Sequence, residues 1–247
     1  MYYPQSPQIV HEMVISFLIH TKEIVWNNSN KKNFNIMLVP SDYYIFAWSV
    51  ISSGYNFFMK NKRLKKIIIV WSDPKVKWFN VPNYSYINNI LGRTKICSWL
   101  SKYFDTDFFK RSEESELNIE NINCQIPFIL TSMKIDCIFP IIVGETQKYI
   151  KLVNTLKEIL TLDDSVWVIF SWNLSNNNKK NKDNLISESI INYDIKNLKK
   201  INTDNYIILK SFSLLSKKMK KDINPILYSN SQDLWADFNR SYFSMIS

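Results

Sequence analysis

The sequence predicts an α/β fold, a single-domain layered structure with a central, mostly buried β-sheet flanked by helices. Short β-branched runs recur along the chain and alternate with segments of helical period. Those runs are continuously apolar, as strands covered on both faces must be. The apolar share of 46%, with 15% aromatic residues, supplies enough side chain for such a core. A length of 247 residues fits one moderately large domain over residues 1–247 better than two small ones.

Residues 8–22 carry Ile9, Met13, Phe17 and Leu18 at helical spacing, which predicts an amphipathic helix. A turn at residues 27–32 leads to a strand at 35–39, ended by Pro40. Residues 45–59 are mostly apolar and long enough for a buried helix. The strongest strand signal is 67–71, where four β-branched residues precede Trp71. Residues 88–100 and 104–110 read as helical, as does 126–133, and 137–143 reads as another strand. The helix at 146–160 places Tyr149, Leu152, Val153, Leu156 and Leu160 on one stripe. A strand at 166–170 follows, then a polar, Asn-rich loop at 176–184. Helices at 185–198 and 203–220 and a short strand at 226–228 complete the order. No internal repeat is visible.

Composition removes several chemistries. The three glycines, Gly54, Gly92 and Gly144, stand too far apart to form a phosphate-binding loop or a dinucleotide fingerprint. The three cysteines, Cys97, Cys124 and Cys137, form no CxxC pair, which argues against a disulfide framework and a structural zinc site. No apolar run approaches membrane-spanning length, so no membrane insertion is expected and a soluble, cytoplasmic protein is the plain reading. Only two histidines occur, His11 and His20. Nine residues along a helix turn the rings by about 900°, roughly half a turn out of phase, so the pair cannot share a metal. The formal charge of +9 suits an acidic partner. Its lysine groups, at 60–66, 179–182 and 217–221, lack interleaved aromatics, and they read more readily as solvated surface than as a face for such a partner.

Further pattern lies in local motifs. Residues Ile119 to Phe128 form an Ile-Glu-Asn-Ile-Asn-Cys-Gln-Ile-Pro-Phe segment, followed by Ile138 to Gly144 as a strand ending in glycine. Near the C-terminus stand Tyr228-Ser229-Asn230-Ser231 and Asp237-Phe238-Asn239-Arg240-Ser241-Tyr242. In order and spacing these pieces resemble the Memo family, relatives of the ring-cleaving LigB-type extradiol dioxygenases. The resemblance can be followed over nearly the whole chain and implies a Memo/LigB-like fold. It also implies where a site would lie. The family's histidine positions fall here on Ser41, Asp73, Glu120 and Ser175. Its glycine-tyrosine pair falls near Tyr43 and Tyr44, further site positions fall on Asn123 and Gln125, and its serine-aspartate-phenylalanine turn becomes Ser171-Trp172-Asn173.

Those replacements carry a chemical consequence. Serine is a poor neutral ligand for iron or copper, and asparagine and glutamine cannot act as general bases. The expectation is therefore a catalytically inactive Memo-like protein, without metal or cofactor, that serves as a protein-binding or structural factor. Ser41, Tyr43, Tyr44, Asp73, Glu120, Asn123, Gln125, Trp172 and Ser175 would line the remnant pocket. Trp71 and Trp172 would either fill the old cavity or pack as ordinary core. Trp48 and Trp71, with Lys62, Arg63, Lys65 and Lys66, are the candidates for partner contact; family association with phosphotyrosine segments and motility signalling points the same way. Two alternatives remain open: a divergent metal-dependent enzyme using Asp73 and Glu120, helped by Asp42, and an RNA- or ribonucleoprotein-associated factor using the lysines. No small-molecule substrate is indicated.

Overall fold

The computed structural model describes residues 3–26, 34–59, 63–73, 75–104, 107–113, 120–144, 148–172, 180–200, 206–231 and 240–247. Four parallel strands form the centre: β1 (Ile36–Pro40), β2 (Lys66–Ser72), β7 (Cys137–Val143) and β8 (Val166–Trp172). Outside them lie β3 (Phe79–Pro82) and β6 (Phe109–Ser112) on one flank, and β9 (Asn224–Asn230) and β10 (Ser241–Ile246) on the other. The eight-stranded order is β6-β3-β7-β2-β8-β1-β10-β9. The sheet is mostly parallel, with antiparallel joints at β3–β7, β1–β10 and β10–β9. A separate hairpin pairs β4 (Tyr86–Asn89) with β5 (Gly92–Lys95).

Every residue of β1, β7 and β8 is buried, as parallel strands with two covered faces require. Helices supply the cover. Helices α1 (Pro7–Trp26), α2 (Tyr44–Phe58) and α4 (Ile126–Ser132) pack as one group, and α5 (Tyr149–Leu162) and α8 (Tyr206–Lys218) as a second. The side chains of Met37 and Val39 lie directly beneath Gly54 of α2. Leu38 points the other way in β1 and is register partner of Phe170, whose ring meets Phe212 of α8 at 5.9 Å. The two helix groups therefore cover opposite faces. Three further α-helices lie among the described residues: α3 (Glu120–Asn123), α6 (Lys180–Ile191) and α7 (Ile195–Lys200).

Several expectations need correction. The stretch read as helical over 88–100 and 104–110 is the β4–β5 hairpin, a 3-10 turn at Ser98–Phe104 and edge strand β6. Ile87 and Thr94 face each other as the buried pair of that hairpin, and Gly92, at φ 132°, closes its turn. On α1, Ile9 is exposed and the buried stripe is Val10, Val14, Leu18 and Thr21, one residue out of phase with the expected set at its start. Helix α6 begins at Lys180, inside the span expected as an Asn-rich loop; residues 176–179 lie outside the described residues. Strand β10 was not visible in the pattern, although it is buried throughout between β1 and β9.

The cysteines also depart from expectation. Cys97 and Cys137 form a disulfide, while Cys124 is free and buried. Ile96 bridges to Ile138 in parallel, which sets the two neighbouring cysteines side by side. A separation of 40 residues hides this pairing from any spacing rule. Closing a loop of that size removes on the order of 4 kcal/mol of unfolded-chain entropy, and it ties the 79–112 segment to the sheet. No described helix is long and apolar enough to cross a membrane.

Candidate functional site

Open parallel sheets place ligands beyond the carboxyl ends of their strands. At that end of β1 and β8 this chain holds a sealed polar joint. Gln125, at the start of α4, is fully buried. Its carboxamide donates to the Pro40 carbonyl of β1 at 2.8 Å and to Ser171 Oγ of β8 at 3.1 Å. Its oxygen accepts from the Tyr55 hydroxyl of α2 at 2.9 Å. One side chain thus ties two strands to two helices. The Ser41 amide continues the ladder by donating to the Trp172 carbonyl at 2.8 Å, and the Tyr44 hydroxyl donates to the Cys124 carbonyl at 2.7 Å.

The protonation states of this joint suit structure better than catalysis. Burial pushes the Cys124 thiol well above its ordinary value, aided by the charge of Asp42, so it carries no thiolate near neutral pH. Burial likewise raises the Tyr44 and Tyr55 phenols far above 10. Asp42, also buried, sits beside the joint. It accepts from Arg240 Nη1 at 2.6 Å, from the Tyr242 hydroxyl at 3.1 Å and from the Tyr43 amide at 2.7 Å. Its charge is used in fastening the β10 approach to the end of β1.

The remaining sequence-selected residues scatter. Ser41, Tyr44, Gln125 and Trp172 meet at the joint, and Tyr43 lies just outside it with 43% of its surface exposed. Trp71 and Trp172 are buried, at 1% and 2%, and their indole N–H groups meet no acceptor among the described residues. Both rings therefore act by packing, Trp172 against Phe243 at 4.2 Å, and Trp71 offers no surface to a partner. Trp48 is half-buried, stacked on Phe17 at 4.7 Å with His20 at its edge. Asn123 faces Asn89 at the end of α3, with Oδ1 3.4 Å from its amide nitrogen. The Glu120 side chain, Ser175 and Lys62 lie outside the described residues.

The basic group before β2 sits at the opposite, amino-terminal pole of the strands. There Arg63 pairs with Asp164 at 3.2 Å, Lys66 pairs with Asp163 at 2.7 Å, and Lys65 is exposed. His11 and His20 are both exposed on α1; His11 lies 3.3 Å from Thr131 Oγ1, and His20 Nδ1 lies 2.7 Å from the Ser16 carbonyl. Among the described residues no three His, Cys, Asp or Glu side chains gather as a metal-ligand set.

Asp73 belongs elsewhere. It follows β2 and caps a local turn, its Oδ1 accepting the Lys75 amide at 2.9 Å. From there it lines a cleft of about 720 Å³ with Lys75, Lys77, Trp78, Asp107, Phe108 and Lys110. The start of α5 adds cations: Lys148, the residue just before the helix, holds its Nζ 4.0 Å from the Trp78 ring centre and 4.3 Å from that of Phe108. Lys151 Nζ stands 3.2 Å from Phe108, and Lys77 Nζ 5.5 Å from Trp78. The cleft depends on one close approach. A Cβ on Gly144 would lie 1.8 Å from the Val76 carbonyl oxygen, and the Gly144 amide donates to the Trp78 carbonyl at 2.6 Å. Sequence reading passed over this site because its rings and ammonium groups come from separate segments. The adjacent Lys77-Trp78 and the i, i+3 pair Lys148 and Lys151 were its faint signals.

Comparison with protein-family models and with curated proteins finds no match to this chain.

Proposed function

We propose that this chain is a non-catalytic binding or structural factor, a divergent Memo-like scaffold in which the ancestral site has become a structural joint. The observation that carries this reading is Gln125. At a position where the resembled family places a site residue, a fully buried carboxamide instead spends its hydrogen bonds on Pro40, Ser171 and Tyr55. Around it stand a thiol held neutral by burial, two phenols and a carboxylate committed to Arg240. The thiol and the phenols offer no base near neutral pH, which general acid–base chemistry needs. Tyr43 and Ile45, exposed by 43% and 70% beside the joint, are the surface through which a protein partner would be engaged.

Elemental analysis of freshly purified chain tests the reading. Substoichiometric iron, copper, manganese and zinc is expected. One equivalent of any of them, retained through dialysis and lost together with a measurable turnover, overturns it in favour of the enzyme that Asp73 and Glu120 would serve.

A further inference from the structure

We infer that the cleft between β3, β6 and the start of α5 binds single-stranded nucleic acid. Three observations converge there. The first is charge. The cleft lining holds Lys75, Lys77 and Lys110 against Asp73 and Asp107. Lys148, just before α5, and Lys151 within it then bring two more ammonium groups against the rings that line the cleft. Cations thus outnumber carboxylates around the cleft, which favours an anionic partner.

The second observation is the pairing of those cations with rings. Trp78 and Phe108 line the cleft, and three lysine ammonium groups lie within 5.5 Å of one or other ring centre. Aromatic faces beside phosphate-seeking cations are what a sequence-tolerant single-strand site requires, because every base offers a π-face while the backbone tracks the charges. An acidic peptide would use the lysines and leave the rings without a role. The third is shape. A cleft of about 720 Å³ fits a base with its sugar and phosphate, and it is too confined for a duplex, whose bases are already stacked. Edge strand β6 continues the basic surface outward with Lys110 and Arg111, both exposed.

This assignment differs from an RNA face built on residues 62–66. Arg63 and Lys66 are engaged with Asp164 and Asp163 at the far pole of the strands.

Fluorescence anisotropy of a labelled oligouridine or oligothymidine, titrated with the full-length chain across a salt series, tests the inference. Binding at low ionic strength is expected, weakening linearly in log–log form as salt rises. The K148E/K151E variant, folded by circular dichroism, should bind at least about tenfold more weakly, with the salt slope reduced by roughly 1.4 for two lost phosphate contacts. The W78L variant should weaken binding several-fold and leave the slope unchanged. A K217E/K220E variant on the α8 end should bind as the parent does. Absence of binding at low salt overturns the inference. So does equal loss in K148E/K151E and K217E/K220E, which marks diffuse charge, or a polyglutamate peptide that binds as tightly and with the same sensitivity to W78L. Competition by uridine monophosphate at millimolar concentration would support the cleft as the nucleotide seat, and competition by inorganic phosphate alone to the same extent would overturn it.

Discussion

Gln125 has no exposed surface and bonds to groups on β1, β8 and α2. Replacing it with alanine strands the Tyr55 hydroxyl and the Pro40 carbonyl in the interior. Each unsatisfied buried group costs about 1–3 kcal/mol, and the cavity adds to that, so Gln125→Ala should lose about 3 kcal/mol or more in denaturant unfolding. A loss below about 1 kcal/mol would mean that water already serves these groups. At this scale the sequence was partly legible. Ser41, Tyr44, Gln125 and Trp172 do meet, because they lie at the ends of strands that the β-branched runs mark plainly. The role of Trp71 was not legible, since an aromatic at a strand end looks the same whether it faces a cleft or the core. Nor was the partnership of Asp42 with Arg240, which spans 198 residues.

Elements were readable in proportion to how fully they are buried. Strands β2, β7 and β8 announce themselves because both faces are covered and their central positions are apolar. The flank formed by β3 to β6 did not, because its strands are four residues long and half-exposed, so a helical period and an alternating one fit equally well. The turn from α5 into β8 shows how elements are joined. Asp163 accepts Lys66 Nζ at 2.7 Å and both the amide and hydroxyl of Ser165. Burial by itself would raise its pKa, but these hydrogen bonds outweigh burial and hold the carboxyl below its ordinary value. A carboxylate with a depressed folded pKa contributes stability that is complete above the unfolded value, near 4, and is lost as pH falls through the folded one. Asp163→Asn should therefore cost about 1 kcal/mol at pH 7 in urea unfolding, and the cost should shrink as the pH is lowered below 4. A cost that stays constant to acid pH would assign the effect to geometry instead of charge.

At the scale of the molecule, two parts of the sheet's carboxyl edge have taken different courses. Beyond β1 and β8 the polar groups are consumed by one another. Beyond β2 and β7, where Gly144 lets the backbone close on Val76, a basic cleft stays open. Net charge was legible from the first count of residues, but its focus was not. The lysines that matter for the cleft come from two segments about 70 residues apart and are gathered by the β3–β7 pairing and by α5. The disulfide shares that character: it joins Cys97 to Cys137 through fold proximity, and it anchors the segment that carries most of the cleft. The central claim, that the carboxyl end of β1 and β8 is a closed joint, has a direct measure in hydrogen exchange of the Gln125 side-chain amide, followed by NMR on isotope-labelled protein. The account predicts two resolved carboxamide protons that exchange many-fold more slowly than those of exposed Gln5 or Gln8. Exchange at the rate of those exposed residues would show the site open to water and would contradict it.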